Sequence, residues 1–166
     1  MGVSGSGKST LGKALAVELG WDFFDADDFH SVENIARMSA GLPLTDADRV
    51  PWLAALNRRL FSTLEADRHP VLACSALKEK YRNQLLAGVE GIPVIYLRGS
   101  FERIRSRLLA REGHYMKENL LQSQFDTLEQ PEEALVLDMS MSLHEMLDTI
   151  LMEYPVLRGL RNHGKK

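Results

Sequence analysis

The chain has 166 residues, 45% hydrophobic and 26% charged, with a formal net charge of −3; that is the make-up of an ordinary globule with enough chain for one core. The acidic balance argues against a dedicated nucleic-acid binder, and no apolar run reaches the roughly 18 residues of a membrane span. No secretory leader pattern opens the chain, and a single cysteine, Cys74, excludes an internal disulfide framework, so a cytoplasmic setting is expected.

In chain order, Gly2-Val3-Ser4-Gly5-Ser6-Gly7-Lys8-Ser9-Thr10 comes first and fits G-x-x-x-x-G-K-[ST], a phosphate-cradling loop. Its glycines let the backbone curl so that successive N–H groups face an anion. A helix that follows at once turns its unpaired N-terminal amides toward the same anion. Lys8 is placed to reach the β- and γ-phosphates of ATP and Ser9 to ligate Mg²⁺. Such a loop leaves the end of a buried parallel strand, yet only Met1 precedes Gly2. The expectation is therefore a sheet whose first strand is largely missing from this chain, and a natural protein longer at its N-terminus.

Helix is predicted from Ser9 to Gly20, with Leu11, Leu15 and Leu19 on one stripe. A short strand spans residues 21–26 and ends in the carboxylates Asp25, Asp27 and Asp28. Residues 31–40 read as helix, broken by Gly41-Leu42-Pro43. Thr45 with Asp48 caps a long helix to about residue 67, which Pro51 either tolerates or divides. The apolar runs 70–75 and 92–97 read as buried parallel strands, with a helix over 77–87 between them. Ser100 caps an arginine-rich helix that breaks at Gly113-His114, and helix resumes over 117–128. A last strand at 134–139 precedes a helix opened by the capping box Ser142…Glu145. The tail from Pro155 is basic and pattern-poor, so it is expected to fray.

This alternation predicts one α/β domain, a three-layer sandwich with a parallel sheet between helices. Ligands collect beyond the carboxyl ends of such strands, which sets the phosphate loop, residues 25–28 and residues 75–78 on one rim. Phosphoryl transfer needs a metal holder, a group that takes the proton of the attacking hydroxyl, and cations around the moving charge. In an extended segment Asp25 and Asp27 address one face. Asp25 is the candidate for holding Mg²⁺ through water and Asp27 for accepting the proton, although Asp clusters also make helix caps. The candidate cations are Arg49, Lys78, Arg82, Arg107 and Arg111. Arg107 and Arg111, four residues apart beside Gly113, suit a lid over ATP phosphates, or equally a solvated face. His30 and His114 read as turn residues and Cys74 as inert core. No D-x-x-G or N-K-x-D element is present, which discounts a GTPase switch.

At these residues the chain resembles the small P-loop gluconokinases, related to shikimate and nucleoside monophosphate kinases. The matching blocks are MGVSGSGKST (1–10), DADDFH (25–30), ENIARMSAGLPLTDADRVPWL (33–53), LACSALKEKYR (72–82), RLLAREGHYM (107–116) and LLQSQFDTLE (120–129). The resemblance implies a nucleoside monophosphate kinase-like fold and transfer from Mg·ATP to the 6-hydroxyl of D-gluconate, in cytosolic and commonly dimeric enzymes. It further implies a substrate-binding cap over 28–67 and a lid over roughly 111–130; for a substrate with a carboxylate at one end and a primary hydroxyl at the other, Arg49, Lys78, Arg82 and His30 are the available carboxylate and polyol contacts, and Asp27 sits where the hydroxyl should be. The rivals are a kinase for shikimate or another sugar acid, disfavoured by the lack of a Gly-Gly-Gly element, and a nucleotide-binding protein without catalysis.

Overall fold

The computed structural model describes residues 1–110 and 118–160. Helix α1, Lys8–Leu19, follows the phosphate loop directly and stops at Gly20, whose left-handed backbone lets its N–H return to Ala16 and Val17. Strand β1 is Asp22–Asp25, followed by one turn of 3₁₀ helix, Ala26–Phe29. Helices α2, Val32–Ser39, and α3, Asp46–Glu65, come next. Thr45 and Asp48 close the expected capping box on α3, and Pro51 sits within a continuous 20-residue helix. Strand β2, Pro70–Ala73, leads to helix α4, Glu79–Leu85, and strand β3, Ile95–Arg98, to helix α5, Phe101–Leu109. Helix α6, Glu118–Thr127, strand β4, Leu135–Asp138, and helix α7, Leu143–Glu153, complete the order.

Both strand pairs are parallel: Asp22 to Asp25 lie opposite Pro70 to Ala73, and Ile95 to Arg98 opposite Leu135 to Asp138. Alternation along β2 sets the layers. Val71 packs with Leu11, Leu15 and Leu19 of α1 and Met146, Ile150 and Leu151 of α7. Leu72 packs on the other face with Trp52, Leu53, Leu56 and Leu60 of α3 and Tyr81 and Leu85 of α4. A third cluster of Val3, Leu77, Ile104, Leu108, Leu121 and Met139 seats α5 and α6 against the phosphate loop. Helix, parallel strand and helix therefore stack as expected.

Among the described residues β2 and β3 do not pair with each other. Met1 and Gly2 bridge them at one end: Leu97 N–H donates to Met1 O at 3.0 Å, Gly2 N–H to Ser75 O at 3.3 Å, and the Met1 amine to Ile95 O. Behind this bridge lies an apolar cavity of about 360 Å³ between the facing edges, lined by Val71, Leu72, Ile95, Leu97, Leu15 and Ile150 among others. It has the place and direction of the first strand that the phosphate loop calls for.

One expectation is corrected. Residues Pro155–Gly159 do not fray but form a 3₁₀ turn with Leu157 buried in the α1–α7 core. Trp21 Nε1 donates to Leu160 O at 2.5 Å, tying this segment to the start of β1. The lone apolar anchor carries too little periodicity to register as an element from sequence.

Candidate active site

The phosphate loop is set by backbone geometry. Gly5 and Gly7 have φ of 80° and 97°, in the left-handed region. A Cβ on Gly5 would lie 2.9 Å from Leu108, so the loop also approaches α5 too closely for a side chain. Gly7 caps α1 without a side-chain hydrogen bond, which leaves the first-turn amides turned to an incoming anion. Lys8 Nζ donates to Val3 O at 3.0 Å, across the mouth of its own loop. Arg107, exposed on α5, brings Nη1 to 3.8 Å from where a Gly7 Cβ would stand, so this guanidinium overlooks the loop. Arg111 lies outside the described residues, as does the 111–117 part of the lid.

Ser9 Oγ donates to Asp25 Oδ2 at 2.5 Å, and Asp25 Oδ1 accepts from Asp27 N–H at 3.2 Å. The end of β1 is thereby fastened to the loop. The chemistry of this donor pair, one hydroxyl and one carboxylate, suits Mg²⁺, which takes few protein ligands and keeps phosphate oxygens and water for the rest. Asp27 stands exposed on the first 3₁₀ turn, its carboxylate facing solvent on this rim.

Buried Ala26 anchors that turn by accepting from Trp52 Nε1 at 2.7 Å. The Trp52 ring stacks on His30 at 4.4 Å and 11°. His30 Nδ1 is buried without a hydrogen-bond partner among the described residues. Burial pushes the imidazole below its usual range, Asp27 opposes this and Arg49 adds to it, so Asp27, His30 and Arg49 sense one another.

Beyond them lies a charged cluster around the Tyr81 ring. Arg49 Nη1 donates to Leu44 O at 2.6 Å and Tyr81 Oη at 3.3 Å, with its guanidinium 5.3 Å from the ring centre. Lys78 Nζ bonds Asp46 Oδ1 at 3.1 Å, Lys80 Nζ bonds Asp46 Oδ2 at 2.5 Å, and Tyr81 Oη donates to Asp46 as well. Hydrogen bonds from Lys80, Tyr81 and Lys78 hold the Asp46 carboxyl well below the usual carboxylate range. The bond to Asp46 raises Lys78 in turn. Arg82 faces elsewhere: its Nη1 donates to Ala76 O, Leu77 O and Glu129 O at 3.2, 3.3 and 3.0 Å, bracing the loop after β2 against the segment after α6.

The structure thus links Ser9, Asp25 and Asp27 in one hydrogen-bonded chain beside Lys8 and Arg107, sets His30 within electrostatic reach of Asp27 and Arg49, and brings Arg49 and Lys78 to the one Tyr81 ring. Four participants lacked a sequence signal of their own. Trp52, Tyr81 and Asp46 sit inside the matched blocks without a role of their own. Gln124, whose Oε1 accepts from Ser4 N–H at 2.7 Å, is 120 residues from its partner.

A parallel α/β sheet with this loop and an acidic strand end beside it defines a P-loop kinase. Residues 4–146 match the shikimate kinase family model. A probable gluconokinase of Mus musculus is 49% identical over 148 residues, covering 79% of this chain and 80% of its own. The thermoresistant gluconokinase of Escherichia coli (strain K12) is 46% identical over 131 residues, covering 79% and 75%. The crystal structure of a gluconokinase from Sinorhizobium meliloti 1021 superposes with a TM-score of 0.83 at 42% identity, covering 96% of this chain and 91% of that one. The chain belongs to the shikimate kinase family and, within it, to the gluconokinases.

Proposed function

We propose that the chain transfers the γ-phosphoryl group of ATP to the 6-hydroxyl of D-gluconate, giving 6-phospho-D-gluconate. The observation that carries this reading is the 2.5 Å bond from Ser9 to Asp25, which joins the nucleotide loop to the acidic strand end. Its complement is the wall of Arg49 and Lys78 farther along the rim. Gluconate has a carboxylate at one end and a primary alcohol at the other, so it needs cations remote from the loop and an acid close to it.

In this mechanism the amides of residues 2–10 and the Lys8 ammonium cradle the phosphates, and Arg107 stabilises their charge from α5. Asp27 aligns the 6-hydroxyl and accepts its proton as the oxygen attacks phosphorus, while ADP leaves toward Lys8. Ser9 and Asp25 would hold Mg²⁺, which would supply positive charge against the charge developing on the phosphates. His30 Nδ1 and Arg49 contact the polyol, and Lys78 the carboxylate. Arg82, by bracing residues 76–77, supports Lys78. Residues 28–67 act as the cap and 111–130 as the lid; their closure excludes water and limits ATP hydrolysis. The enzyme works in the cytoplasm as a homodimer. No helix among the described residues is long and apolar enough to cross a membrane.

The test is a coupled ADP-release assay across gluconate, other aldonates, shikimate and nucleosides. Turnover with gluconate at least tenfold above every other substrate is expected. No stimulation by gluconate would overturn the assignment, and equal stimulation by another acid would move it there.

A further inference from the structure

Three cations, Arg49, Lys78 and Lys80, lie about the Tyr81 ring, and two of them, Lys78 and Lys80, pair with the carboxylate of Asp46. The hydrogen bonds of Arg49 go to neutral oxygens, a carbonyl and a phenol. Two ammonium groups thus share the single Asp46 carboxylate, while Arg49 also lies within electrostatic reach of Asp48. The cluster is also open to solvent: 47% of the Asp46 side chain and 28% of the Lys78 side chain are exposed. Asp46 belongs to the first turn of α3 and Lys78 to the loop entering α4, so this contact bridges two separate elements. Through Arg49 and His30 the cluster is continuous with Asp27.

We propose that Asp46 is the resting counter-ion of the substrate-anion site: in the empty enzyme its carboxylate holds Lys78, and an acidic substrate displaces it carboxylate for carboxylate. The inference rests on the sugar-acid reading of the same wall and adds an internal competitor to it. Exposed pairs of this kind are weak enough to exchange, each holding an ammonium in place without sealing it from solvent. The swap has two consequences. A substrate without a carboxylate leaves Asp46 bound to Lys78 and gains nothing from the cations, which sharpens selectivity for acids. Release of Asp46 also frees the start of α3 from the loop after β2, which couples occupancy of the anion site to movement of the cap.

The test is Asp46→Asn, which keeps an oxygen for the Tyr81 hydroxyl and removes the competing charge. The expected result is a KM for D-gluconate lower by about three- to tenfold, the worth of one or two exposed ion pairs, with KM for ATP and Tm unchanged. The charge control is Glu79→Gln, beside Lys78 in sequence but with a side chain outside its hydrogen bonds, and it should shift KM less than twofold. An unchanged or raised KM in Asp46→Asn overturns the inference, as does an equal fall in Glu79→Gln. Should wild-type protein fail to phosphorylate gluconate, the sugar-acid reading falls by itself. Calorimetric titration of acetate into wild type and Asp46→Asn then still decides the counter-ion role: tighter binding to the variant supports it, and equal or absent binding overturns it.

Discussion

Asp27 gains its position from neighbours that do no chemistry. Ala26 is buried beneath it and held by the Trp52 indole, while Asp25 caps the Asp27 amide. The side chain thus projects from a braced turn, so its removal should cost catalysis with little loss of stability. Asp27→Asn is expected to lower kcat by about 100-fold or more, as loss of a positioned base does, with Tm unchanged; steady-state assays and a melting curve check this. His30 makes a different prediction. Its folded-state pKa is depressed chiefly by burial, so its contribution is present above the ordinary value of 6.5 and is lost as pH falls through the folded value. His30→Phe retains a ring to stack on Trp52 and removes the titration. Its Tm should fall less steeply than that of wild type as pH drops below about 6.5, as read by calorimetry at several pH values.

At the scale of elements, α6 meets the phosphate loop, among the described residues, through the polar contact of Gln124 with Ser4. Gln124 accepts from Ser4 N–H, and the same peptide unit offers Val3 O to Lys8 Nζ. In a trans peptide the two groups point opposite ways, so Gln124 and Lys8 grip one amide from its two ends. Polarisation along such a chain strengthens each bond. Gln124→Ala should therefore raise KM for ATP several-fold and change Tm little, since one neutral hydrogen bond is worth about 1 kcal/mol. An unaltered KM would show that α6 merely packs there. The capping boxes Thr45–Asp48 and Ser142–Glu145 were readable from sequence because caps are local, three residues apart. The 3₁₀ turn at Pro155–Gly159 was not, because it exists through Leu157 and Leu160, which meet the core and Trp21 only after folding.

For the whole molecule the decisive feature is the gap between β2 and β3. Two parallel ladders face each other across an apolar cavity, and the Met1 and Gly2 backbone bonds to both sides at one end. An apolar strand of about five residues fused directly ahead of Met1 should enter this cavity and join the halves into one sheet. Burial of several apolar side chains is worth several kcal/mol, so Tm should rise by roughly 10 °C. Differential scanning calorimetry reads the result, and an unchanged Tm would mean that the facing edges do not accept a strand.

The sequence by itself determined the phosphate loop, the order of helices and parallel strands, and the rim on which Asp25, Asp27 and residues 75–78 lie. All of these follow from short-range spacing or from the rule that parallel strands open at their carboxyl ends. Only the tertiary structure decided which group each cation bonds. Arg82 spends its donors on three backbone carbonyls, Lys78 meets Asp46 across 32 residues, and Gln124 reaches the loop from 120 residues away. A charge on a helix face carries no record of its partner in local pattern. Partnership is fixed by how the layers pack, which brings together groups whose separation along the chain no periodicity encodes.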